Sequence, residues 1–234
     1  MKLYANMMVY NEMPFLSYVV ERLLMFCDHL VVMDNGSTDG SREWLEQPRE
    51  RVTALFYQQA SPPNHADMLN HMLEFIPDGV WVIKWDPDEL PSDGMVRGLR
   101  DFLETKSDSS KPWRVPVYDM MKSRSTCTAK AYQQPRLFRK TSDTRFTGET
   151  HEHVEGLRWA RMGFDCDIAI IHFSYFCETR FRRKAQHYAT VLSSGFLDDP
   201  ERLTDRLDLP TVPLPDHITF QASDEWLEEI RMAK

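Results

Sequence analysis

The sequence predicts an α/β fold: a mainly parallel central sheet flanked by helices, followed by a small antiparallel β region and C-terminal helices. Three observations carry this. Extended apolar runs alternate with helical patterns through the first half. The most apolar of those runs, in "VIKWDPDELP" at residues 82–91, stops abruptly at acids. After residue 112, helical periodicity gives way to short strands and loops.

The elements follow in order. "LYANMMVY" and "HLVVMD" read as strands. Between them "MPFLSYVVERLLMFC" sets Phe15, Tyr18, Val19, Arg22, Leu23 and Phe26 near helical spacing, with Pro14 suited to a first turn. A second unit holds a short helix in "GSTDGSREWLEQ" with Ser and Asp caps, a strand in "RVTALFY", a helix in "HADMLNHMLEFI" and a strand in "GVWVIKW". Strands separated by helices imply a parallel sheet covered on both faces. "SDGMVRGLRDFLETK" is a further capped helix, "WRVPVYDMM", "QPRLFRK" and "DIAIIHFSY" are strands, and "TRFRRKAQHYATVLSSG" is a helix ended by Gly195. The Pro-rich "LPTVPLPDH" reads as a linker to a small amphipathic helix, "SDEWLEEIRMAK", docked through Trp226, Leu227 and Ile230. Residues 1–197 thus read as a single domain in two halves, 1–110 and 111–197, with linker and final helix over 198–234.

Composition narrows the function classes. No apolar run approaches the ~18 residues of a membrane span, and "MKLYANMMVYNEM" reads as a first strand rather than a secretory signal, so a cytoplasmic location is the default. Cys27, Cys127, Cys166 and Cys177 form no CxxC pair, which indicates reduced thiols rather than a zinc knuckle or a disulfide framework. A net charge of -8 argues against nucleic acid as the main partner, because that binding neutralises phosphates with Lys and Arg. Lys122, Arg124, Lys130, Arg136, Arg139, Lys140 and Arg145 nevertheless lie close in sequence, a strip that suits either a small phosphorylated ligand or a solvated face.

The acids of "DPDE" sit where open α/β sheets bind ligands, beyond the carboxyl end of a parallel strand. In an extended segment residues two apart share a face, so Asp86 and Asp88 would address one object, with Pro87 holding Asp86 extended. Two carboxylates that close repel unless one is protonated or a cation lies between them. Such oxygen-rich ligation suits Mn2+ or Mg2+, which complete their shells with water and substrate phosphates. The same residues also suit a polar turn capping the next helix.

Several ordered features together resemble the family 2 glycosyltransferases with the GT-A fold: "VYNE", "VVMDNGSTDGS", "DPDE", "PRLFRK", "RFTGETHEHV" and "IIHFSY", covering about residues 3 to 190. The resemblance implies a nucleotide-diphospho-sugar transferase fold, with residues 1–110 as the donor half and 111–197 as the acceptor half. It implies inverting transfer of a sugar from a nucleotide diphosphate donor (UDP-, dTDP- or GDP-linked) to a hydroxyl of a saccharide or glycoconjugate. By similarity Asn11, Glu12 and Ser37 would lie by the nucleotide, and Asp34 would contact base or ribose. Asp86 would hold the ribose or reach the metal through water, Asp88 would ligate the metal, and His172 is a candidate third ligand. Asn35 stands where the family pattern has a second aspartate, so no charged role is carried to it.

The chemistry makes use of these groups. A divalent cation offsets charge developing on the diphosphate, and Arg136 or Arg139 would add a bidentate guanidinium. Inversion needs a carboxylate to take the acceptor proton; "GETHE" offers Glu149 and Glu152 beside His151, and the resemblance falls on Glu152. His172 lies on an apolar strand face, which suits a core histidine as well as a ligand. Competing readings are a nucleotidyltransferase, for which a glycine-rich basic loop near the N-terminus is lacking, a non-catalytic sugar-nucleotide binder, and a phosphate-ester hydrolase. A lipid-linked acceptor would bring the basic strip or "RFRRK" to an anionic membrane surface, but the same residues serve as a solvated helix face and no membrane role is assigned.

Overall fold

The computed structural model describes residues 1–57, 64–105, 112–129, 131–148, 153–155, 167–183 and 209–232. The first half alternates as its periodicities require: β1 (Leu3–Val9), α1 (Phe15–Leu24), β2 (His29–Asp34), α2 (Ser41–Glu46), β3 (Val52–Phe56), α3 (His65–Leu73) and β4 (Trp81–Trp85). Then come β5 (Glu89–Pro91), α4 (Asp93–Glu104), β6 (Trp113–Met121), β7 (Thr126–Thr128), β8 (Tyr132–Arg139), β9 (Arg145–Thr147), β10 (His153–Glu155), β11 (Ile170–Tyr175), β12 (Thr211–Pro213) and α5 (Asp224–Met232). Residues 178–183 are also helical.

Among the described residues ten strands join one sheet. Its heart is parallel, in the order β3-β2-β1-β4, with Val9 opposite Asp34 and Met7 opposite Trp85. Beyond β4 the sheet turns antiparallel through β8 to β6, and β11 pairs parallel with β6 and antiparallel with β5. A separate hairpin joins β9 to β10.

Alternate residues of β1 face opposite layers, as a two-residue period demands. Leu3, Ala5, Met7 and Val9 pack with α1, α4 and α5. The other face meets α3 and the β9-β10 hairpin, through Leu69, Met72, Phe146 and Val154. The Asn70 amide fixes that hairpin, donating to the Phe146 carbonyl (2.9 Å) and accepting from its amide (2.7 Å). Ser92 caps α4 through the Met95 amide, and Trp81 and Trp85 are core residues.

Two local expectations change. The Pro-rich stretch expected as a linker contains a strand, β12, paired antiparallel with β7. It lies at the sheet's edge, where a missing proline N–H costs no ladder bond. The chain after it is tied to the body: Asp93 N donates to Thr219 O (2.7 Å), and Trp226 stacks on Tyr18 with centroids 4.4 Å apart. The basic strip is also dispersed. Arg136 is buried, and Lys140, Arg145 and Arg124 pair with Asp78, Glu155 and Asp224.

Candidate active site

The loops after β1 and β2 are clasped together at the carboxyl ends of their strands. Asn11 adopts a left-handed backbone (φ 54°); its amide donates to Ser37 Oγ (2.9 Å) and its Oδ1 accepts from the Thr38 amide (2.7 Å). Asp39 accepts from the Met13 amide (2.9 Å) with one oxygen and from the Ser41 amide (3.0 Å) with the other, while Ser41 Oγ accepts from the Glu12 amide (3.1 Å). Asp34 is fully buried, its carboxylate accepting from the amides of Gly36 and Ser37. Thus "VYNE" and "DNGSTDGS" form one interlocked backbone unit.

The "DPDE" segment is a turn rather than an extended run. Glu89 N donates to Asp86 O (3.2 Å), with Pro87 at the position where its fixed φ favours turning. Asp86 and Asp88 are thus paired with different partners, Asp86 with Arg136 and Asp88 with Arg180 and His172. One nitrogen of Arg136, Nη2, donates to Asp86 Oδ2 and Glu89 Oε1, each at 2.7 Å, and Glu89 Oε2 accepts from the Asp86 amide (3.0 Å). Arg136 and Glu89 are buried, whereas the Asp86 side chain is 35% exposed. Burial works to raise the Asp86 pKa, but Arg136, Lys84 and His172 outweigh it and hold the carboxyl well below its usual range. Burial wins at Glu89, pushed up to about 7 against the pull of Arg136.

On the other side of the turn lies a second buried cluster. Asp88 Oδ2 accepts from Arg180 Nη1 (3.2 Å), and Arg180 Nη2 donates to Glu12 Oε2. The guanidinium lies over the Phe15 ring, 4.3 Å from its centroid. Asp88 Oδ1 is 3.5 Å from His172 Nε2, and His172 Nδ1 is 2.6 Å from Asp119 Oδ1. The Tyr132 hydroxyl also donates to Asp119 (3.4 Å). Burial acts against a charged imidazole, but Asp88, Tyr132 and Asp119 outweigh it and raise the His172 pKa well above its ordinary value.

Asp88 and His172 suit a hard divalent cation. A carboxylate holding Nδ1 leaves Nε2 facing Asp88 Oδ1, the way outer-shell acids orient metal-bound imidazoles. Mn2+ or Mg2+ accept few protein ligands and take water and phosphate for the rest. Among the described residues no group of three His, Cys, Asp or Glu side chains converges as a metal cluster, and Asp86 is turned to Arg136.

The model of the family described as "Glycosyl transferase family 2" matches residues 6–168, well over half of the chain. The protein belongs to glycosyl transferase family 2. Of the residues that family resemblance brought forward, the structure unites Asn11, Glu12, Asp34 and Ser37 in the clasped loops and gathers Asp86, Asp88, Arg136 and His172 around the turn. Arg139 is not among them. Its Nε donates to Gly79 O (3.0 Å) and it pairs with Trp81, at the end of β4 remote from the turn by about 13 Å at ~3.3 Å per residue. Glu149, His151 and Glu152, in the connection between β9 and β10, lie outside the described residues.

Solved structures resemble the chain in fold. TarS 1-349 of S. aureus in complex with UDP-GlcNAc has a TM-score of 0.50 at 12% identity, over 88% of this chain and 71% of that one. The longer S. aureus TarS gives 0.49 at 13%, and the present chain spans 43% of its length. Mannosyltransferase PcManGT from Pyrobaculum calidifontis, in complex with GDP-Man and Mn2+, gives 0.48 at 17%, over 88% of this chain and 69% of that one. No curated protein matches the chain in sequence. The fold is GT-A.

Four side chains at this family 2 site escaped sequence reasoning: Arg180, Asp119, Tyr132 and Glu89. Asp119 left a signal, since an acid inside the apolar strand "WRVPVYDMM" needs a buried partner. Arg180 left none, because "RFRRK" reads as a surface run.

Proposed function

We propose that this protein is an inverting, divalent-cation-dependent glycosyltransferase that moves a sugar from a UDP-, dTDP- or GDP-linked donor to a hydroxyl of a saccharide or glycoconjugate. The observation that carries this reading is the meeting of Glu12, Asp88 and His172 at the carboxyl ends of the parallel strands, in a chain of family 2. Asp88 and His172 would hold Mn2+ or Mg2+, and the bound ion would offset the charge developing on the leaving diphosphate. Asp119 keeps the imidazole oriented. The loop pair from Asn11 to Ser41 would form a preorganised wall for the nucleotide, and the partly exposed Asp86 would meet a ribose hydroxyl. Glu152, or Glu149 beside it, would take the acceptor proton from the face opposite the leaving group.

The test is a thermal-shift screen of nucleotide sugars with and without Mn2+, followed by turnover assays. The preferred donor should raise the melting temperature in a metal-dependent way, because a ligand of the native state stabilises in proportion to its affinity. Asp88→Ala should remove the metal-dependent part of the shift. Glu152→Gln should spare donor binding and lower kcat by about 100-fold or more. Full turnover in Glu152→Gln would remove it as the base.

A further inference from the structure

We propose that Arg180 is a built-in competitor for the cation at Asp88: its guanidinium holds the metal-ligating carboxylate in the resting protein and releases it when a divalent ion binds. This rests on the metal reading above. Arg180 spans 168 and 92 positions to reach Glu12 and Asp88, the acids of the two separate motifs that frame the crevice. Its side chain is 4% exposed and lies against the Phe15 ring, so it is seated within the site and not dangling over it.

The chemistry of exchange is favourable. Asp88 is fully buried, and a buried carboxylate needs a compensating cation at all times. The guanidinium meets that need until a dication arrives, whose stronger field and shorter ligand distances suit the same oxygens. The backbone at this point need not move. The neighbouring Phe181 is buried against Tyr175, with centroids 5.0 Å apart, and its amide donates to Cys177 O (3.0 Å). Rotation of the long arginine stem is sufficient, and Glu12 remains as its partner.

The consequence is a raised threshold for metal occupancy. Mn2+ affinity should be followed by the loss of free-ion electron paramagnetic resonance signal in wild type, Arg180→Gln, Arg180→Lys and the double variant Arg180→Gln/Asp88→Asn. Arg180→Gln should bind Mn2+ about tenfold tighter than wild type or better, since it removes a unit positive charge from beside the ion. Arg180→Lys, which retains the charge without the fork, should fall between them, and the double variant should lose the tight site. Mn2+ should also raise the melting temperature of Arg180→Gln more than that of wild type, which reports on the folded protein directly. Binding in wild type that is unchanged or weakened in both Arg180 variants overturns the competitor role and leaves the metal reading standing. No Mn2+ binding in any variant, with or without a nucleotide sugar, overturns both. Tight binding that survives in the double variant places the ion away from Asp88 and overturns both the competitor role and Asp88 as a ligand of the ion.

Discussion

Two buried arginines flank the same four-residue turn, each bridging two carboxylates. Arg136 joins Asp86 to Glu89, three residues apart on one turn, from a neighbouring strand of the sheet. Arg180 joins Asp88 to Glu12, acids from different loops, from a helical segment late in the chain. The first pairing folds the turn upon itself, and the Asp86 amide closes it through Glu89. The second spans the crevice and has His172 and Asp119 beside it. Similar ion pairs therefore do different work: one fixes the shape of the turn, and the other occupies what that shape presents. Geometry alone distinguishes them, through whether the carboxylates belong to one loop or two.

The largest expected effect lies on the shaping side. Arg136→Met leaves Glu89 buried without its cation, and breaking a buried pair from one side costs about 3–5 kcal/mol. Urea denaturation at about pH 8, where Glu89 is ionised, should show that loss; at about pH 5 protonation of Glu89 should absorb part of it. Mn2+ should not rescue this variant, in contrast to Arg180→Gln. A loss below about 1 kcal/mol at pH 8 would make Arg136 dispensable to the turn and dissolve the contrast between the two arginines.

The next effect isolates Glu89 in chelator. Its folded pKa of about 7 lies above its ordinary 4.5, so between these values the native chain holds a proton that the unfolded chain has lost. Stability therefore falls as pH rises from about 4.5 to about 7, by about 3 kcal/mol relative to a variant that cannot titrate there. Asp86 contributes the opposite sign, because its depressed pKa confines its loss of stabilisation to acid below its ordinary 3.8. Unfolding curves of wild type and Glu89→Gln should converge or cross through the window as pH increases; parallel curves would mean that Glu89 stays ionised throughout.

How far the sequence disclosed this pair of clusters follows from what each residue's neighbours reveal. The strands and helices of the first half were legible because period and burial agree, as in Leu3, Ala5, Met7 and Val9 on one face of β1. The acids of the turn were legible because polar residues at the end of an apolar strand are conspicuous. The turn itself was not, since Pro87 suits an extended residue before it and equally suits the second position of a turn. Arg180 was hidden for a stronger reason: its partners are 168 and 92 positions away, and nothing in "RFRRK" distinguishes the one buried guanidinium from solvated neighbours such as Arg182. β12 was missed because proline density marks linkers and edge strands alike.

An exposed pair completes the comparison at its weakest end. Arg124 Nη1 lies 2.8 Å from Asp224 Oδ1, with side chains 49% and 86% exposed, and it ties the β6-β7 connection to the start of α5. Its distance matches that of the buried bridges, so distance cannot predict its contribution; solvent screening can. Arg124→Ala should lower stability by less than about 1 kcal/mol, with the difference vanishing at about 1 M salt. Keeping Asp224 intact matters to the design, because an acid in a first helical turn favours the helix on its own account. A larger, salt-insensitive loss would mean that docking of α5 through Trp226 depends on this contact, and that burial is a poorer guide to the strength of these ion pairs than the two arginines at the turn imply.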